Sequence, residues 1–238
     1  PVNRLNNTSL QDANDANTAV PGGAYVTVAL AALNAPVGGL YHLRGAYAVL
    51  EDIESPGNTP PTSSTDSFVY ERNADACEEV MAYHHVTRNQ LYIQSLGFTT
   101  INNRSHRIDA HGLSGEDNAH YMGDPLGAGY LAFGDGGVDD AEDADIILHE
   151  YGHSIQDNIT EGKYFGTNDR GYGDETGAMG EGFGDYWACS CTAAESVSNG
   201  FNPAYVGEWD SRAYATLPYM RTLANDKTYP GDMTGQIH

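Results

Sequence analysis

Positive charge is what this sequence has least of. Lys and Arg total 11 against 33 Asp and Glu, a formal net charge of −22, and the only lysines are Lys163 and Lys227. Such a chain repels phosphate backbones and anionic bilayers, so nucleic acid and membrane surfaces are excluded as expected partners. Long apolar runs are also missing. No stretch approaches the roughly 20 residues that a membrane helix needs. Cysteine is limited to Cys77, Cys189 and Cys191, an odd and small number that rules out a disulfide scaffold. Cys189 and Cys191 are too close in sequence for an easy mutual bridge, while a bridge from Cys77 to either stays open. An initiator Met and a signal segment are absent. Pro1 fits a mature secreted chain freed of its signal and pro-segment, or an excised fragment.

Hydrophobic residues make up 40% of the 238 and aromatics 10%, enough for a folded core in one large domain or two small lobes. Residues 1–22 are polar and Asn-rich and read as an irregular arm. Tyr25 to Leu33 and Tyr41 to Ile53 are rich in β-branched, aromatic and aliphatic residues and predict strands. Ser55 to Ser67 (SPGNTPPTSSTDS) predicts a loop. Asp75 and Glu78 have capping-box spacing for a long helix, with Val80, Tyr83, Thr87 and Leu91 on one face and Gly97 as its C-terminal cap. A short strand at Phe98 to Ile101, a polar loop and a strand near Tyr130 to Phe133 follow. Five acids between Asp139 and Asp145 precede an apolar face of Ile147, Tyr151 and Ile155. They predict a helix from about Asp140 to Asn158, capped by Asp139 or Asp140. A second helix is expected around Ala178 to Glu195.

The sharpest motif is His149-Glu150-Tyr151-Gly152-His153, an HExxH pattern. Four residues advance a helix by about 6 Å and 40°, so both imidazoles leave one face and can share an ion. Glu150 stands about 100° round from His149, within reach of a water on that ion. At this composition the pattern arises by chance in about 2% of chains, so a surface His pair is the weaker interpretation. Zinc with two His needs a third protein ligand and an open position. Glu181 in GAMGEGFGDYWA is the candidate, with Asp185 on the same helical face to orient a ligand His through its other ring nitrogen. Glycines at 177, 180, 182 and 184 weaken a helix and make sense where a neighbour must come close. Ile146 on the active-site helix is a candidate for lining an apolar substrate pocket. His84 and His85 are adjacent on a helix and cannot form a like-faced pair. His120 reads as a hydrogen-bonding neighbour of the cleft.

HEYGH followed by Glu181 and Asp185 resembles the gluzincin metallopeptidases of the thermolysin and fungalysin group, and AMGEGFGDYWA is nearer to fungalysin. EEVMAYHHVTRNQLYIQSLGF, Asn118-Ala119 before Tyr121, and Gly134-Asp135-Gly136 before the active-site helix keep the family's order. The resemblance runs from about Asp75 to Trp187. It implies an α+β fold: a β-rich lobe over 1–136 carrying one long helix at about 75–96, then an active-site helix and the beginning of a mainly helical lobe over 137–238, cut short. It implies a secreted, monomeric zinc metalloendopeptidase acting on proteins or peptides. His149, His153 and Glu181 would be the zinc ligands, Asp185 the carboxylate behind a ligand, and Glu150 the proton carrier. Tyr172 and His238 would be oxyanion donors, and Asn118 and Ala119 would hold the substrate backbone. Asp145 stands where thermolysin-like enzymes place a calcium ligand. The acids from Asp139 to Asp145 are therefore either helix-start acids or a calcium site, with Asp145 and Asp139 as candidate ligands. The chain departs from the thermolysin branch at Gly180, where that branch has Asn before the ligand Glu. A zinc aminopeptidase of the same clan is the alternative, although no amine-capturing GxMEN segment is present. A catalytically incomplete zinc- and calcium-binding module is the other.

Overall fold

A computed structural model of the chain describes residues 25–124, 129–161, 174–213, 216–228 and 232. The class is α+β, as the sequence implied. Its centre is a four-stranded sheet of order β2-β4-β6-β5, formed by Ala48–Leu50 (β2), His106–Asp109 (β4), Ala119–Met122 (β5) and Tyr130–Phe133 (β6). β2, β4 and β6 run parallel, and β5 is an antiparallel edge paired to β6 with Tyr121 opposite Leu131. Two helices cover one face: α1 (Ala76–Ser95) and α2 (Ala144–Ile159). A third, α3 (Asp174–Ser198), packs along α2. Tyr41–His42 (β1) pairs with Thr62–Ser63 (β3), and Tyr205–Val206 (β7) with Arg221–Thr222 (β8).

The core joins Leu50, Ile108, Leu131 and Phe133 of the sheet to Tyr83, Val86 and Ile93 of α1 and Ile147, Tyr151 and Ile155 of α2. The expected apolar face of α2 is therefore the buried one. Along α1 the buried stripe is Ala82, Tyr83, Val86, Gln90 and Ile93, so Tyr83 and Thr87 lie inside while Leu91 is exposed.

Several local expectations need correction. Tyr25 to Leu33 is not a strand. It contributes one bridge, Leu33 to Gly45, and Ala32 sits at φ 54, a left-handed conformation that breaks extension. Tyr41 to Ile53 is two short strands, because the Gly45 N–H folds back onto the Ala48 carbonyl. The segment Phe98 to Ile101 is a turn, held by the Gln90 side-chain amide on the Ile101 carbonyl. Its neighbour His106–Asp109, which read as polar loop, is a central strand. The capping box at Asp75 does not form; Asp75 is helical in φ and ψ and accepts instead from the Asn58 amide. The C-terminal turn is as expected, with Gly97 at φ 94 and its N–H on the Gln94 carbonyl. At α2 the cap is Asp143, which accepts from the Asp145 N–H at 2.8 Å, and Asp140–Glu142 form a separate 3₁₀ turn before it. α3 is longer than expected at both ends. Cys77, Cys189 and Cys191 are all free thiols, so the bridge left open for Cys77 is not made.

Candidate active site

α2 and α3 cross closely where each carries glycine. A Cβ on Gly152 would lie 3.1 Å from Gly184 Cα, and one on Gly184 would lie 2.7 Å from His149 Nδ1. The absent side chain at 184 lets α3 press against the His149 ring. Trp187 anchors the approach by donating its indole N–H to Asn89 of α1 at 2.9 Å, and Phe183 stacks on Trp187 at 5.9 Å between centroids.

This crossing brings three donors together. His149 Nε2 is 3.1 Å from His153 Nε2 and 3.1 Å from Glu181 Oε2, and His153 Nε2 is 3.8 Å from the same oxygen. A tetrahedral zinc ion with bonds near 2.0–2.1 Å separates its ligands by about 3.3 Å, so the set has the spacing of a shared ion. Two imidazole nitrogens and a carboxylate are zinc-type donors.

Asp185 completes the His149 environment. Its Oδ1 accepts from His149 Nδ1 at 2.8 Å. A carboxylate there fixes the tautomer, so Nε2 faces Glu181 and His153. Burial opposes charge on the His149 ring, but the Asp185 and Glu181 carboxylates outweigh it and hold the pKa up at about 9. A corner that binds a proton this tightly offers the same electrons to a metal cation.

The donors open onto a cavity of about 530 Å³. Glu150, Ile146, Asn118 and Ala119, singled out in the sequence, all line it, as do His120 and Tyr121. β5 is held there by two acids. The Tyr121 hydroxyl donates to Asp157 at 2.9 Å, and His120 Nε2 and the Tyr130 hydroxyl meet Glu54 Oε1 at 2.9 and 2.8 Å. Tyr172 and His238 lie outside the described residues.

Asp145 and Asp139 are both buried. Asp145 accepts from the Thr192 hydroxyl at 3.1 Å and the Gly207 N–H at 3.2 Å, and it shares a hydrogen bond with Glu208. Burial and the Asp145 and Asp143 charges push the Glu208 carboxyl up to about 9. Among the described residues two groups are compact enough to hold an ion: His149, His153 and Glu181, and separately Asp117, Asp140 and Asp210. Asp139 and Asp145 belong to neither.

Sequence reasoning missed Arg221. It lies on the cavity wall and clasps Asp185 with Nε at 2.9 Å from Oδ2 and Nη2 at 2.8 Å from Oδ1. Its only signal was being a rare cation in an acidic chain. It sits 36 residues beyond its partner, in a stretch with no motif. The Asp117, Asp140 and Asp210 group was missed for the same reason: its members come from three separate segments.

A comparison with curated proteins returns no match. Residues 134–230 match the model of the fungalysin metallopeptidase family (M36). The segment that carries the histidines, Glu181, Asp185 and Arg221 is thus similar to a family of zinc-type metallopeptidases, and the likeness to the fungalysin and thermolysin group seen in the sequence rests on more than a motif.

Proposed function

We propose that the chain is a zinc-dependent endopeptidase. The observation that carries this is the convergence of His149, His153 and Glu181 at 3.1–3.8 Å on the wall of a cavity that Glu150 also lines. Bound there, zinc would lower the pKa of a water and polarise a substrate carbonyl. Glu150, on the same cavity wall, would act as the general base and carry the proton to the leaving amine. Asp185, braced by Arg221, keeps His149 in the tautomer that offers Nε2. Asn118 and Ala119, at the start of an edge strand, receive the substrate backbone as an added strand, and Ile146 gives one side of a side-chain pocket. Tyr172 and His238 are assigned as hydrogen-bond donors to the developing oxyanion, on the family likeness alone.

On the likeness to the fungalysin metallopeptidases we also assign this chain an extracellular site of action and a monomeric state. No helix of the described residues is long and apolar enough to cross a membrane. Calcium at Asp145 and Asp139 stays part of the proposal, supported only by the crowding of Asp143, Asp145 and Glu208.

The test uses internally quenched peptides with free and blocked N-termini. The proposal expects cleavage of both, loss of activity with 1,10-phenanthroline, and recovery on adding zinc. Cleavage of the free peptide alone would identify an aminopeptidase. Zinc binding with no cleavage of either would identify a non-catalytic module.

A further inference from the structure

We infer that Asp117, Asp140 and Asp210 form a second cation site, built for a hard divalent ion of the calcium type, on the wall of the same cavity. Asp117 precedes edge strand β5, Asp140 opens the 3₁₀ turn before α2, and Asp210 opens the one after β7. One carboxylate oxygen from each lies within 4.8 Å of the other two. An ion at the centre of such a triangle sits up to about 2.8 Å from each oxygen, close to the 2.3–2.6 Å of calcium–oxygen bonds.

The second observation is independent of the clustering. Asp140 is only 3% exposed, and its Oδ2 is buried with no hydrogen-bond partner. A buried carboxylate oxygen left bare is costly, and an ion in the triangle supplies what it lacks. The electrostatics agree. Burial first, then the charges of Asp210, Asp117 and Glu150, push the Asp140 carboxyl well above the usual carboxylate range. Three carboxylates this close in a largely buried corner repel one another, and a cation between them offsets that repulsion.

The donor set selects the ion. Three oxygens without His or Cys suit hard cations, in contrast to the nitrogen-bearing centre at His149. Calcium takes six to eight oxygens, and the adjoining cavity gives water access to the remaining positions. Such an ion ties together three segments that border the cleft.

The test is independent of peptidase activity. Calcium is titrated into the full zinc-loaded chain by calorimetry, with terbium luminescence as a second readout, since Trp209 adjoins Asp210. Saturable binding is expected, with Kd in the range of roughly 10⁻⁵–10⁻³ M. Asp117 is exposed, so Asp117→Asn folds and should weaken this binding at least about tenfold. Asp140→Asn should abolish it, and Asp66→Asn, at an exposed acid outside both clusters, should leave it unchanged. If Asp140→Asn does not fold, Asp117→Asn decides alone. Absence of saturable binding in the unaltered chain would overturn the inference, as would unchanged affinity in Asp117→Asn. Binding lost in Asp145→Asn but kept in Asp117→Asn would overturn it too, moving the ion to the cluster with Glu208.

Discussion

Gly184→Ala sets helix propensity against the metal site. In an exposed helix interior this change stabilises by up to about 1 kcal/mol. Here the added methyl would stand 2.7, 2.8 and 2.9 Å from Nδ1, Cε1 and Cγ of the His149 ring. Comfortable contact begins near 3.5 Å, so the overlap is about 0.6–0.8 Å against three atoms. The clash is with a ring, not with the end of a flexible chain. His149 is 4% exposed and its Nδ1 is bound to Asp185, so the ring can yield only by leaving that partner or by driving α3 away from α2. Either movement displaces Nε2 from the 3.1 Å spacing to His153 and Glu181. Disturbing the partner behind a metal-bound His typically costs 10–100-fold in affinity, and a loss of at least that size is expected. Zinc affinity is read by competition with a chromophoric chelator, and stability by thermal denaturation of the metal-free protein. Wild-type zinc affinity together with a raised melting temperature would refute the close approach and the role given to Gly184.

Glu208 predicts a pH effect on stability in calcium-free buffer. Its folded pKa of about 9 lies above the ordinary 4.5, so the folded state keeps a proton that the unfolded chain releases. Its stabilising contribution is complete below pH 4.5 and falls as pH rises toward 9, by at most about 1.4 kcal/mol per unit. Glu208→Gln should flatten the fall of melting temperature over that window; identical slopes would contradict the assignment. Arg72 lies buried between Glu142, at 2.6 Å from Nε, and the Trp209 ring, 5.0 Å from its centre. Arg72→Ala leaves the buried Glu142 carboxylate with the Trp209 indole N–H but no counter-charge, and should cost about 3–5 kcal/mol in urea unfolding. A loss below about 1 kcal/mol would show that this pair contributes little.

What was legible in the sequence was local. His149, Glu150 and His153 sit within five residues on one helix, so helical geometry alone placed both imidazoles on one side. Glu181 and Asp185 lie four apart and were readable for the same reason. What failed was where polar side chains serve the backbone. His106–Asp109 looks like a loop, yet it is the second strand of the sheet. The Asp109 carboxylate accepts from the N–H groups of Ile53, Glu54 and His111, and His106 Nε2 donates to the Asn102 carbonyl. Burial drops the His106 pKa to about 3, so it stays neutral inside. Hydrophobic periodicity cannot see a strand in which Ile108 is the one buried apolar residue and His106 and Asp109 are buried beside it. The cap of α2 was misplaced by three or four residues, because each acid from Asp139 to Asp143 could cap and only tertiary packing chooses. Arg221 and the Asp117, Asp140 and Asp210 group depend on contacts between distant segments, which no local pattern encodes.

The most direct test of the account is the rate at which zinc-loaded Glu150→Gln cleaves a blocked, internally quenched peptide, measured beside the unaltered chain at matched zinc content. Positioned acid–base catalysis contributes about 10²–10⁴-fold, and glutamine keeps the shape without the proton transfer. The account predicts full zinc occupancy with a rate lowered by at least about 10². An unchanged rate at full occupancy would contradict it.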